Sequence, residues 1–312
     1  MLSPGLPLWS VPVSDLWVVG DVHGALNSLR TLLQRARLTD FEDNWLGDGS
    51  VLVLLGDLMD RGPDGLGVLR LVRRLEVQAQ QAGGQVISLL GNHEVMMLAA
   101  LRFRGGRRVG GDPYGLYSYW KENGGHLRDL SQLEPADLEW LEARPPMHLH
   151  GDWLLLHADS GLYLRLGESL SRVTELAAAM LRARTPETWV NFLNAFAERE
   201  LYTAEDGQEQ AAETLRVLGG RRLVHGHTPV FVLSGAPAGP LMSPHRYAGG
   251  LVLGLDSAMA YQQGAGFMVR LDADAGRLDR SEYSGVLETV YLTEPGLDVA
   301  LAAAAPADRS GR

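Results

Sequence analysis

Val51-Leu52-Val53-Leu54-Leu55 is a continuous apolar run that reads as a strand buried on both faces. It stops at Gly56-Asp57-Leu58-Met59-Asp60-Arg61-Gly62. Two carboxylates, a cation and two glycines therefore stand at the carboxyl end of a strand, where open α/β sheets collect their ligands. An isolated Asp-Arg-Gly would serve equally well to cap a following helix, here Pro63 to Ala82. The pattern recurs, however. Leu16-Trp17-Val18-Val19 runs into Gly20-Asp21-Val22-His23-Gly24, and Val86-Ile87-Ser88-Leu89-Leu90 runs into Gly91-Asn92-His93-Glu94. Three buried strands each end in glycine plus metal-type ligands. On an extended segment Asp21 and His23, two apart, point to one side.

Helical periodicity fills the gaps. Leu26, Leu29, Leu32 and Leu33 share a face of a helix from about Ala25 to Arg37, and Leu66, Leu69, Val72 and Leu75 do so in a helix ended by Gly83-Gly84. The chain thus begins βαβαβ, with a parallel sheet. A helix follows from Glu94 to about Arg102, then a basic glycine loop to Arg108, which reads first as a solvated loop and second as a substrate-facing one. Residues 115 to 145 read as two short helices with Trp120, Leu127, Leu130, Leu138 and Leu141 inward. Met147 to His157 reads as a hairpin, residues 168 to 218 as helices broken near Pro186 and Gly207. Two further strands end in polar clusters, at Leu223-Val224-His225-Gly226-His227 and at Leu253-Gly254-Leu255-Asp256-Ser257. Leu154-Leu155-Leu156-His157-Ala158-Asp159 repeats the theme once more. The expected organisation is an arm at 1–15, one domain at 16–294 and a disordered tail at 295–312.

Composition narrows the chemistry. The chain has no cysteine, which removes thiol nucleophiles, disulfides and cysteine-bound zinc, and leaves His, Asp, Asn and Glu as ligands. A net charge of -10 argues against a general nucleic-acid surface. No apolar run approaches the roughly 18 residues of a membrane span, and Met1 to Val13 lacks a basic, signal-like start. The expectation is a soluble, cytoplasmic protein without membrane partners.

Asp21, His23, Asp57, Asn92, His157 and His227 collect at the strand ends. A lone histidine at such a place is more often structural than a ligand. Six residues of this kind, mixing nitrogen and oxygen donors, suit two divalent transition ions better than a lone Ca²⁺ or Mg²⁺. His93, next to Asn92, can face a leaving group, Asp60 can orient its ring, and the planar fork of Arg61 matches phosphate.

Together Gly-Asp-Val-His-Gly, Gly-Asp-Leu-Met-Asp-Arg-Gly, Gly-Asn-His-Glu, His157-Ala-Asp and Gly226-His227-Thr resemble the PPP-type phosphoprotein phosphatases of the calcineurin-like metallophosphoesterase superfamily. The likeness runs from residue 16 to about 272, and Gly84 to Met96 is most similar to the Shewanella-like bacterial branch. It implies an α/β fold of the four-layer αββα sandwich type. It implies Asp21, His23 and Asp57 on a first ion and Asp57, Asn92, His157 and His227 on a second, with Mn first and Fe or Zn also compatible. It implies His93 as general acid backed by Asp60, and phosphate held by Arg61, Asn92 and a second arginine, for which Arg199 is chosen although the usual preceding Trp is missing. His225 is read as structural. The substrate implied is a phosphorylated protein or small phosphoester, by attack of a metal-bridging hydroxide. A dinucleoside polyphosphate hydrolase and a non-catalytic phosphoprotein-binding module remain the alternatives, the latter disfavoured by a complete ligand set.

Overall fold

The computed structural model describes residues 15–104, 112, 114–240, 242–274 and 285–293. The arm at 1–14, the tail from 294 and residues 105–108 of the basic loop lie outside the described residues.

In chain order the elements are β1 (Leu16–Val19), α1 (Leu26–Arg35), β2 (Val51–Leu54), α2 (Gly65–Gln81), β3 (Gln85–Ser88), α3 (Asn92–Phe103), α4 (Leu116–Glu122), α5 (Leu127–Gln132) and α6 (Pro135–Glu142). Then come β4 (Met147–His150), β5 (Trp153–Leu156), α7 (Leu162–Leu166), α8 (Leu170–Leu181), α9 (Pro186–Phe196), α10 (Gly207–Leu218), β6 (Arg222–Pro229) and α11 (Val230–Ser234). β7 (His245–Tyr247), β8 (Val252–Asp256), β9 (Phe267–Leu271) and β10 (Val286–Tyr291) complete the described elements.

The strands form two sheets, ordered β10-β9-β1-β2-β3 and β4-β5-β6-β8-β7. β1, β2 and β3 run parallel, as do β5, β6 and β8, and the remaining strands join antiparallel at the flanks. Alternation along the strands sorts the side chains into layers. Leu16, Val18, Val51 and Val53 share one apolar cluster with Leu155, Val224, Leu253 and Leu255, so the two sheets pack face to face. Trp17, Val19, Leu52 and Leu54 belong instead to a second cluster with leucines of α1 and α2, and the same cluster takes in Leu154, Leu156 and Leu223 with Val173, Trp189 and Leu218 of the other helices. Helix, sheet, sheet, helix is the four-layer αββα arrangement. Each fully buried leucine contributes about 2 kcal/mol of apolar burial.

Local expectations shift in four places. The helix after β2 is capped by Asp64, whose carboxylate accepts the Gly67 N–H at 2.9 Å, which frees Asp60 for another role. α3 starts at Asn92, two residues earlier than its apolar periodicity suggests, because the Glu94 side chain takes the Gly91 N–H at 2.9 Å. Residues 116–142 hold three helices, and Leu127 is 48% exposed because α5 turns Asp129 and Leu130 inward. α11 and β7, at five and three residues, are too short to show a period. Arg102 of the basic stretch is occupied structurally: it donates to the carbonyls of Leu181 and Ala183 at 3.0 and 3.1 Å and lies over Trp189.

Candidate metal centre

All the parallel strands of both sheets point their carboxyl ends at one place. Asp21 follows β1, Asp57 follows β2, Asn92 follows β3, His157 follows β5, and His227 lies near the end of β6. The loops are stitched to one another. The Val22 and His23 N–H groups donate to the Asp57 carbonyl at 3.1 and 2.8 Å, and the Gly24 N–H donates to the Leu58 carbonyl at 2.8 Å. The two sheets are joined where the His227 N–H donates to Asp21 Oδ1 at 2.8 Å.

His23, Asp57, Asp60, Arg61 and His227 all have left-handed backbones, with φ of 47°, 49°, 67°, 64° and 64°. Such conformations cost on the order of 1 kcal/mol each outside glycine and gather at functional sites. They also change how Asp21 and His23 meet. The chain is not extended there; a left-handed turn brings His23 Nε2 to 3.8 Å from Asp21 Oδ2. A register shift in β6 between His225 and Pro229 accompanies the left-handed turn of His227.

Two overlapping clusters result, His23 with Asp57 and His93, and Asp57 with His157 and His227, each with its ligand atoms within 4.8 Å of one another. Asp57 belongs to both. The histidine tautomers are set from behind. His23 Nδ1 lies 3.0 Å from the Met59 carbonyl and His157 Nδ1 lies 2.8 Å from the Leu55 carbonyl, so each ring donates there and keeps an Nε2 lone pair for the site. The His157 lone pair faces Asn92 Oδ1 at 3.0 Å and Asp57 Oδ1 at 3.5 Å. Acceptors converging without a proton between them are what a divalent cation satisfies. Burial pushes the His23, His157 and His227 pKa values down, which keeps these rings neutral and able to coordinate. Burial opposes ionisation of Asp57, but attraction to the protonated forms of His157, His93, His23 and His227 outweighs it and holds the carboxyl far below its usual range. Burial, reinforced by Asp256 and Asp57, raises Asp21 well above its ordinary value, and burial pushes Asp256 up to about 6. This concentration of buried carboxyl groups with neutral imidazoles fits a pair of divalent ions.

His93, whose Nε2 enters the first cluster 4.0 Å from Asp57 Oδ2, is fully buried at the first turn of α3. Its N–H donates to Asp57 Oδ1 at 2.9 Å, and its Nδ1 meets Asp60 Oδ2 at 2.9 Å. Asp60 is pinned in turn by the Trp120 indole N–H, 2.9 and 3.0 Å from its two oxygens. The His93 Nε2 is buried without a hydrogen-bond partner. Arg61 Nη1 lies 2.7 Å from His23 Nε2 on one side of the site. On the other side Arg199 Nε donates to His227 Nε2 at 3.0 Å, from a loop whose next residue, Glu200, has φ 73°. The ten residues singled out from the sequence therefore lie in one place. His225 is held between the Gly226 carbonyl and the Tyr247 hydroxyl at 2.8 and 2.7 Å, and that hydroxyl donates to Asp159 at 3.0 Å. Asp159 accepts the Tyr202 N–H at 2.8 Å and so steadies the Arg199 loop.

Glu94 is a positioning residue that sequence reasoning passed over, although it completes the Gly-Asn-His-Glu motif. Its Oε2 accepts the N–H groups of Asp57 and Gly91, both at 2.9 Å, and its Oε1 accepts those of Leu58 and Met59 at 2.9 and 3.3 Å. Burial, with Asp57 and Asp60 adding to it, pushes the Glu94 pKa up to about 8. Gly91 beside it has no room for a side chain, since a Cβ there would fall on Asp57 Oδ1. In Glu94→Gln an amide N–H must face a backbone N–H, and the Asp57 turn should loosen. The expected result is a roughly 10- to 100-fold loss of metal affinity, measured by metal titration; unchanged affinity would restrict Glu94 to capping α3.

A model of the family described as calcineurin-like phosphoesterase matches residues 15–231. Shewanella-like protein phosphatase 2 of Arabidopsis thaliana is 32% identical over 115 residues, 37% of this chain and 29% of that protein. A symmetrical bis(5'-nucleosyl)-tetraphosphatase of Pectobacterium atrosepticum is 34% identical over 148 residues, 47% of this chain and 43% of that protein. The chain thus spans less than half the length of either relative. Among solved structures, a cold-active protein-tyrosine phosphatase of a psychrophilic Shewanella species superposes with a TM-score of 0.63 at 22% identity, over 89% of this chain and 80% of that one, which shows a shared fold.

Proposed function

We propose that this chain, which belongs to the calcineurin-like phosphoesterase family, hydrolyses phosphomonoesters, foremost phosphoserine, phosphothreonine or phosphotyrosine in proteins. The observation that carries this reading is the pair of clusters sharing Asp57, the first of which includes His93, with two arginines beside them. Asp21, His23 and Asp57 would hold one ion, and Asp57, Asn92, His157 and His227 the other. When bound, two divalent ions supply hydroxide at neutral pH and offset charge on the phosphoryl group. The remaining steps fall to side chains. Arg61 and Arg199 approach from opposite sides and grip phosphoryl oxygens, with the Asn92 amide beside them. His93 Nε2, buried without a hydrogen-bond partner, would face the leaving oxygen and give it a proton. Asp60 takes the His93 Nδ1–H, orients the ring and stabilises its charged form.

Mn²⁺ is the proposed native ion, with Fe or Zn compatible with the same donors. Chelation is expected to abolish turnover, and Mn²⁺ to restore it better than Ca²⁺, whose preference for six to eight oxygens the histidines do not meet. Full activity in a demonstrably metal-free sample would overturn the two-ion reading. The second reading is hydrolysis of dinucleoside polyphosphates, favoured by the likeness to the Pectobacterium tetraphosphatase. Rates on phosphopeptides and on diadenosine tetraphosphate, measured side by side, decide between them. A cytoplasmic location is also proposed, with which the absence of cysteine is compatible; among the described residues no helix is long and apolar enough to cross a membrane.

Arg199→Ala should lower kcat/KM roughly tenfold to a hundredfold through loss of a charge-assisted contact, with metal content unchanged. Arg182, at the end of α8, donates back to the Ala178 carbonyl of its own helix at 3.0 Å. Wild-type kinetics in Arg199→Ala would exclude it as the second phosphate ligand.

A further inference from the structure

The His93 ring is oriented through Asp60, and Asp60 is itself held by an indole. Asp60 Oδ2 meets His93 Nδ1 at 2.9 Å, and the Trp120 Nε1–H lies 2.9 Å from Oδ1 and 3.0 Å from Oδ2. One donor on α4 is thus shared by both oxygens. A carboxylate has a broad torsional well about its last bond, so a partner at one oxygen leaves it free to turn. A donor straddled by both oxygens removes that freedom. Asp60 and Trp120 are 2% and 0% exposed, which keeps bulk water from taking the place of the indole N–H.

The indole is held in turn. Gly125 lies flat against it, at a place where a Cβ would fall on the ring atoms. The Lys121 ammonium donates to the Gly125 carbonyl at 2.7 Å and stands 5.9 Å from the ring centroid. The same stretch clasps the turn after β2 at two further points. The Arg61 N–H donates to the Gly124 carbonyl at 2.8 Å, and the Gly65 N–H donates to Asp129 Oδ2 at 3.0 Å. α4 and α5 therefore brace that turn, and Trp120 is where the brace reaches the His93–Asp60 pair.

We propose that Trp120 is a positioning residue for the proton donor: by straddling Asp60, its N–H fixes the His93 ring with Nε2 toward the leaving oxygen. This rests on the phosphoesterase reading, in which His93 gives that oxygen a proton. A hydrogen bond from an N–H to a carboxylate is charge-assisted and worth roughly tenfold in an equilibrium. Without it the carboxylate turns, the imidazole loses its fixed acceptor, and fewer of its orientations aim Nε2 productively. The loss falls on kcat, and only where the leaving oxygen needs a proton. The metal-bearing turn after β2 keeps its own bonds to Glu94.

The test compares turnover of a phosphoserine peptide and of para-nitrophenyl phosphate by the Mn²⁺-loaded full chain and three variants. These are Trp120→Phe, Trp120→Phe combined with His93→Ala, and a protein with benzothienylalanine in place of Trp120, which keeps the bicyclic shape and lacks the N–H. Metal content and Tm are measured for each. Trp120→Phe and the sulfur isostere should lose roughly tenfold in kcat on the phosphoserine peptide and less than about twofold on para-nitrophenyl phosphate, with KM and metal content unchanged. Adding Trp120→Phe to His93→Ala should cost nothing further, because the ring it aims is gone. If Trp120→Phe does not fold, the isostere decides. Equal losses on the two esters, or wild-type kinetics in the isostere, overturn the proposal and leave the phosphoesterase reading standing. A further loss in the double variant, as large as in Trp120→Phe alone, also overturns it, since Trp120 would then act by packing. Turnover of neither ester by the wild type would overturn the phosphoesterase reading and this proposal with it.

Discussion

Asp57→Asn is expected to remove more metal and more activity than any other single ligand substitution. Its two carboxylate oxygens face different partners: Oδ2 lies 3.5 Å from His23 Nε2 and Oδ1 lies 3.5 Å from His157 Nε2. Oδ1 also accepts the His93 N–H at 2.9 Å, which fixes the orientation of the group. An asparagine keeps the shape and the acceptor for that N–H, but turns an NH₂ toward the His23 side. A donor there repels a cation, and the net negative charge is gone. Bound metal should fall from two ions to one or fewer, as counted by elemental analysis. A Lewis-acid contribution of several kcal/mol corresponds to a drop in kcat on the order of 10³-fold. Folding should survive, because the turn is held mainly by backbone N–H groups on Glu94. Two fully occupied ions in this variant would show that Asp57 is not shared.

The second large effect concerns His93 and depends on the substrate. A serine or threonine alkoxide leaves badly without a proton, and general acid catalysis is worth about 10²–10⁴-fold in such steps. Para-nitrophenolate leaves readily unprotonated. His93→Ala should therefore lose about 10²–10⁴-fold in kcat on a phosphoserine peptide and far less on para-nitrophenyl phosphate. Asp60→Asn should show the same asymmetry in smaller measure, since Asp60 acts through the ring it meets at 2.9 Å. Both variants should retain their metals. Equal losses on the two substrates, with metals intact, would mean that His93 holds the phosphoryl group instead of protonating the leaving oxygen.

Much of this arrangement is written locally in the chain. The apolar runs of β1, β2 and β3 and the leucine periodicity of α1 and α2 depend on neighbours a few residues away, and burial follows from them. Each run ends in glycine followed by Asp21, Asp57 or Asn92, so the ligand-bearing turns are local too. The parallel order then forces those ends to one side of the sheet. What the chain does not write locally is how the turns are held and what faces them. The His227 N–H reaches Asp21 across 206 residues, and Glu94 gathers four N–H groups from two loops. Trp120 finds Asp60 from a separate helix, and Arg199 arrives from a loop with no period at all. These contacts come from packing one sheet on the other and folding loops over their common edge. Such packing depends on side chains distant in sequence, whose spacing carries no signal of their meeting, so only the tertiary structure decides it.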